Sequence, residues 1–193
     1  LSLDPIQVAV RFAAALEQLG VDYLVGGSLA SSFAGQPRLT LDVDIVVQLT
    51  EAKVPDLLKL LGEEWLADPK AVARAVRQNS STNLFHAASG VKVDLFMLGA
   101  SPFEQGQMRR RRKVKVGTNP DTFLFTYAPE DILLQKLRWY RMGGGVSDTQ
   151  WRDVLSIVRG TERPLDREYL REGARAFEVE TLLGRVFAEA ENP

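Results

Sequence analysis

The chain contains no cysteine, which excludes disulfides and thiolate metal sites and fits a reducing compartment. Its single histidine, His86, has neither a cysteine nor a second imidazole to complete a zinc site, so a strand histidine with local hydrogen bonds is expected. No apolar run approaches the ~20 residues needed to cross a bilayer. Charge of either sign is not in excess: 24 Lys and Arg face 25 Asp and Glu, a net −1. No global field therefore draws the protein to nucleic acid or acidic membranes, and any such contact must come from a local patch. The first residues carry no basic stretch followed by an apolar one, so no secretory signal is expected and the cytoplasm is the default compartment. What remains is an ordinary globular composition, 45% hydrophobic and 25% charged over 193 residues. That is enough for one cored domain with a modest appendage.

The chemistry is concentrated between Val25 and Val47, VGGSLASSFAGQPRLTLDVDIVV. An apolar strand ends in Gly26-Gly27-Ser28, and a second apolar strand carries Asp42-Val43-Asp44. Residues i and i+2 of a strand share a face, roughly 7 Å apart along the backbone. Asp42 and Asp44 therefore point the same way, with Leu41, Val43, Ile45 and Val47 turned to the core. Two neighbouring carboxylates repel and raise each other's pKa unless a cation sits with them, which suggests a divalent metal.

Around this stretch the punctuation is regular. Asp4-Pro5 opens a helix that Gly20 stops. Thr50 to Leu61 and Asp68 to Arg77 read as helices, with strands near Asn83 to Ala88 and Lys92 to Met97 joined in a hairpin at Ser89-Gly90. Ser101 to Gln107 reads as loop or short helix, and Arg112 to Val116 and Phe123 to Thr126 as strands. From Ala128 onward only helical periodicity remains, in segments at 129–141, 148–158, 166–177 and 178–191. The expectation is an α/β (α+β) chain: a mixed twisted sheet flanked by helices over 1–126, then a helical bundle over 127–193.

Gly26-Gly27-Ser28 lies between a strand and a helix start, where bare backbone N–H groups and the helix N-terminus favour a phosphate. Asp94 lies in a later apolar strand, on the side opposite Val91, Val93 and Leu95. Three carboxylates on neighbouring strands beside a phosphate-sized turn describe a two-metal site, one ion for a triphosphate and one for an attacking hydroxyl.

Gly27-Ser28, thirteen residues, then Asp42-Val43-Asp44-Ile45, with Val93-Asp94-Leu95 later, resembles the signature of the polymerase-β-like nucleotidyltransferase superfamily. Arg38-x-Thr40-x-Asp42-x-Asp44, Pro129-Glu130-Asp131 with Lys136, and Arg152-Asp153 are similar to bacterial nucleotidyltransferase-like proteins. Those are related to abortive-infection toxins and to the minimal nucleotidyltransferases of toxin–antitoxin pairs. The resemblance implies transfer of NMP from an NTP to a hydroxyl on RNA, protein or a small molecule, with Mg2+ or Mn2+. It also implies a partner protein from a two-gene system, or a silent domain that binds a nucleotide or partner without turnover. Asp42, Asp44 and Asp94 would be the catalytic metal ligands, and Gly26, Gly27 and Ser28 would hold phosphates. Lys136 would lie near the triphosphate, steadied by Asp153, or else be a solvated helix lysine. Arg38 would touch phosphate or brace the Asp-x-Asp strand.

Two further features have readings from the residues alone. Lys92 shares a strand face with Asp94 and reads as its ion-pair partner. Arg109 to Lys113, with Lys115, reads as a solvated edge strand or as a phosphate-backbone patch, without the interleaved aromatics that stack bases. Trp139, Tyr140 and Trp151 read as packing residues.

Overall fold

The computed structural model describes residues 4–35, 40–119, 121–161 and 163–191. Asp4 caps α1 (Pro5–Gln18) reciprocally: its carboxylate accepts from Gln7 N at 2.8 Å, and Gln7 Oε1 accepts from Asp4 N at 3.1 Å. The sheet elements then alternate with helices: β1 (Tyr23–Val25), α2 (Gly27–Ala34), β2 (Asp42–Val47), α3 (Val54–Leu61), β3 (Trp65–Leu66), α4 (Pro69–Arg77) and β4 (Ser81–His86). After β5 (Lys92–Met97) come α5 (Pro102–Arg109), β6 (Arg112–Lys115) and β7 (Phe123–Thr126). Four helices follow: α6 (Pro129–Met142), α7 (Asp148–Gly160), α8 (Arg167–Ala176) and α9 (Glu180–Glu191).

The strands form one mixed sheet in the order β3-β4-β5-β2-β1-β7-β6. β2 pairs with β5 in parallel, as β1 does with β7, and the other pairs are antiparallel. Each face has its own hydrophobic cluster. Phe12, Leu16, Leu57 and Val72 pack with Val43, Ile45, Val93 and Leu95 on one side. On the other, Leu133, Leu137, Val154 and Leu170 of the later helices pack with Leu24 and Tyr127. Alternation along β2 and β5 drives this, since Val43, Ile45, Val47, Val93 and Leu95 are fully buried on one face and the even-numbered residues face the later helices. The α+β architecture matches the expectation.

Several local details differ from it. Leu41, expected in the core, is 78% exposed, because the β2 pairing begins only at Asp42. β3 escaped notice because it is two residues long; Trp65 anchors it against Phe12 and the His86 ring, each at 5.3 Å. The segment at 101–107 is helical, opened by Ser101 Oγ accepting from Glu104 N at 3.2 Å. His86 is the expected strand histidine, with Nδ1 2.8 Å from Ser89 Oγ and Nε2 3.3 Å from a Glu64 carboxylate oxygen.

Candidate functional site

The in-register pairing of β2 with β5 composes the site. Asp42 stands beside Lys92, Asp44 beside Asp94 and Val46 beside Phe96. The three carboxylates share the face that looks toward the later helices, at adjacent positions on strands spaced about 4.8 Å apart. Asp44 is the most enclosed, and its carboxyl is held above the ordinary carboxylate range. Burial is the main cause, followed by the charges of Asp94 and Asp42, while Lys136 and Lys92 oppose the shift.

The strand-to-helix turn closes directly on Asp44. Gly26 N donates to Asp44 O at 2.8 Å, which fixes the end of β1 against β2. Gly27 then adopts φ +55°, a left-handed conformation that a Cβ disfavours. A Cβ at Gly27 would also fall 1.7 Å from Asp44 Oδ2. Only glycine lets this backbone approach the carboxylate so closely. α2 starts here with Gly26 as its N-cap and without a capping side-chain hydrogen bond among the described residues. The N-terminus of such a helix favours an anion.

Lys136 comes from the opposite wall. Its Nζ donates to Asp153 Oδ2 at 2.7 Å, and both side chains are only 11% exposed. The same helix face brings Lys136 to a cavity of about 480 Å3 that Gly26, Gly27, Ser28 and Asp44 also line. Of the three carboxylates only Asp44 is among its lining residues. The structure therefore gathers seven of the nine residues singled out for nucleotide or metal binding: the turn, Asp44 and Lys136 around one cavity, Asp153 on Lys136, and Asp94 next to Asp44. Asp42 shares their strand face at its exposed end, and Arg38 lies outside the described residues.

No protein-family model matches the sequence, and no curated protein matches it. Solved structures do. The solution structure of the antibiotic-resistance factor ANT(2'')-Ia superposes with a TM-score of 0.55 at 12% identity, covering 97% of this chain and 99% of that one. The crystal structure of ANT(2'')-Ia in complex with adenylyl-2''-tobramycin gives 0.54 at 11% identity, over 90% and 96% of the two chains. An antigenic nucleotidyltransferase-like protein from Paracoccidioides brasiliensis gives 0.51 at 17% identity, over 93% and 89%. The fold is that of the polymerase-β-like nucleotidyltransferases. Within the nucleotidyltransferase fold, this chain's Gly-Ser turn and Asp-x-Asp strand are in direct contact through Gly27 and Asp44.

The donor set suits a hard divalent cation. Mg2+ binds through one or two carboxylates and takes substrate phosphates as further ligands, and here carboxylate oxygens adjoin a turn that only glycine can make. Among the described residues, no three His, Cys, Asp or Glu side chains form a group that could hold an ion by themselves. The cation that the cluster does face is a lysine. Lys92 Nζ lies 2.8 Å from Asp94 Oδ2 and 3.7 Å from Asp42 Oδ1, the ion pair expected from their shared face.

Half of the basic run, Arg110, Arg111 and Lys113 of its six cations, is engaged within the molecule. Arg110 pairs with Glu130 at 3.2 Å and with the buried Asp131 at 3.5 Å, and its guanidinium lies 3.8 Å from the Tyr169 ring centroid. Arg111 pairs with Asp22 at 2.7 Å, and Lys113 lies over Phe123. Several residues that line the cavity were not read as site residues in the sequence, Trp139 and Gln150 among them. Tyr140 and Trp151 pack against each other at 5.2 Å as expected, but Trp139 is 49% exposed and lines the cavity. Gln150 lines it too. The available signal was helical spacing, since Trp139 lies one turn beyond Lys136 and Gln150 one turn before Asp153.

Proposed function

We propose that this protein is a divalent-metal-dependent nucleotidyltransferase that moves NMP from an NTP to a hydroxyl acceptor. The observation that carries the reading is the contact between the Gly27 turn and Asp44, with Lys136 facing them across one cavity. A glycine turn at a helix N-terminus, a buried lysine and adjacent carboxylates match a polyphosphate held at one end and a reacting phosphorus at the other.

The residues divide the work by position. Gly27 and Ser28 bind the β- and γ-phosphates through backbone N–H groups and the Ser28 hydroxyl, and Gly26, whose N–H is held by Asp44 O, shapes the turn that presents them. Lys136, kept in place by Asp153, neutralises phosphate charge from the helical wall. Asp42, Asp44 and Asp94, together with substrate phosphates, would hold Mg2+ or Mn2+, which would supply charge neutralisation for the transferred phosphoryl group. Asp94 takes the proton of the acceptor hydroxyl. The acceptor oxygen then forms its bond to the α-phosphorus as the bond to the bridging oxygen breaks and pyrophosphate leaves. Most of the rate enhancement comes from holding these groups in line.

Support for a small-molecule acceptor comes from two sides. Two of the four arginines that would track an RNA backbone, Arg110 and Arg111, are spent on Glu130, Asp131 and Asp22. The similar fold of ANT(2'')-Ia has been solved with an adenylylated small molecule, adenylyl-2''-tobramycin. The test is incubation with each labelled NTP and Mg2+, against hydroxyl-bearing small molecules, total RNA and total protein, with pyrophosphate release measured. Label transfer that Asp44→Asn abolishes is expected. Tight NTP binding without pyrophosphate release from any acceptor pool would instead make this a silent nucleotide-binding domain.

A further inference from the structure

The helical wall of the cavity is layered. α6 and α7 run antiparallel, with Lys136 on Asp153 at one level and Tyr140 on Trp151 at another. Trp139 and Gln150 are each three residues from the Lys136–Asp153 pair in the same direction. They therefore occupy one level, displaced about 4.5 Å along the helices. Both face the cavity. Opposite them is Phe96, which follows Asp94 by two residues on the same face of β5, with its ring centroid 6.2 Å from that of Trp139.

Gln150 has an unmet need at this level. Its side-chain Oε1 is buried and has no hydrogen-bond partner among the described residues. The neighbouring capping interaction does not use it: Ser147 Oγ accepts from the Gln150 backbone N–H at 3.4 Å. A buried acceptor left unpaired costs free energy, and in a side chain that lines a cavity the cost is recovered when the amide turns that oxygen to a donor on whatever fills the cavity. Trp139, a large apolar side chain half exposed at the same place, offers an aromatic surface for a planar group.

We infer that Trp139 and Gln150 form the nucleoside subsite, with Gln150 Oε1 accepting a hydrogen bond from a ribose hydroxyl and Trp139 stacking on the base. This rests on the nucleotide reading above. If the polyphosphate occupies the Lys136 layer, the sugar is the next covalently attached group and reaches the adjoining layer first. The base then extends toward Trp139 and Phe96. No base edge is assigned a partner, so the subsite selects for sugar more than for base.

The test is calorimetric titration of the full chain with Mg2+ and each of ATP, 2'-deoxy-ATP and 3'-deoxy-ATP, repeated with the GTP series. One of the deoxy forms should bind about tenfold more weakly than the ribonucleotide, because it leaves Oε1 unpaired. Which one identifies the hydroxyl. Gln150→Leu should weaken ribonucleotide binding by a similar factor and erase the ribose preference, while Trp139→Ala should weaken all forms about tenfold and keep the preference. Melting curves of both variants verify folding, and the deoxy comparison in the unmodified protein stands without either. Equal binding of all three sugars, or a ribose preference that survives Gln150→Leu, would overturn the assignment and leave the nucleotide reading standing. Absence of binding by any nucleotide would overturn both.

Discussion

Lys92 Nζ lies 2.8 Å from Asp94 Oδ2, so a cation of the protein's own stands at the edge of the carboxylate cluster. A second contact, 3.7 Å to Asp42, places it between the two more exposed acids. Lys92→Met removes that cation and leaves the acids repelling one another. Its side chain is 31% exposed, so solvent screens part of the loss. The variant should melt about 2 °C lower without metal, and the gap should close on adding Mg2+ with an NTP. The same melting point with and without these ligands in both proteins would refute the counter-ion role.

Asp44→Asn separates stability from activity. Burial, then Asp94 and Asp42, hold the Asp44 carboxyl above its ordinary value of 3.8, so the folded state disfavours the charged form. Stability from this group is therefore greatest below that unfolded value and declines as pH rises through the higher folded one. Asparagine removes the decline. The variant should melt about 2–4 °C higher than the parent at pH 7, with no gain at pH 3, and should lose metal-dependent transfer. A lower melting point at pH 7 would mean that Asp44 is stabilised by partners rather than strained by neighbours.

Gly27→Ala meets two obstacles, Gly20→Ala only one. Both glycines have φ near +55 to +60°, but a Cβ at Gly20 meets nothing within 4 Å, whereas at Gly27 it strikes Asp44. Gly20→Ala should cost only the backbone term of about 1–2 kcal/mol and leave NTP binding intact. Gly27→Ala should cost more and abolish NTP binding. Equal losses in paired melts would show that the Asp44 contact contributes nothing.

Lys136→Met takes the lysine cation away from the buried Asp153, and breaking such a pair costs up to about 3–5 kcal/mol. Asp153→Leu in the same chain should restore most of the stability, because an apolar pair tolerates that environment. It should not restore NTP affinity. Chemical denaturation alongside calorimetry reads the two quantities separately, and recovered affinity in the double variant would remove Lys136 from the phosphate site.

Much of this site was legible before any coordinates. Asp42 and Asp44 are two apart in a strand of alternating apolar residues, so local geometry alone puts them on one face. Lys92 and Asp94 obey the same rule, which made their ion pair foreseeable. Asp4-Pro5, Asp68-Pro69 and Pro129 mark helix starts because a cap and a preset φ act within a single turn. Leu41 was misread at a strand edge, where alternation continues in the sequence after pairing has stopped.

Short-range stereochemistry was thus written in the chain: which residues begin helices, which share a strand face, and where only glycine can turn. Long-range placement was not. That β5 rather than another strand lies beside β2, that Lys136 faces the Gly27 turn, and that Gln150 has a buried oxygen with no partner among the described residues all depend on how remote segments pack. Hydrophobic burial drives that packing, and it acts on surface area without regard to sequence separation. No window of neighbouring residues contains it.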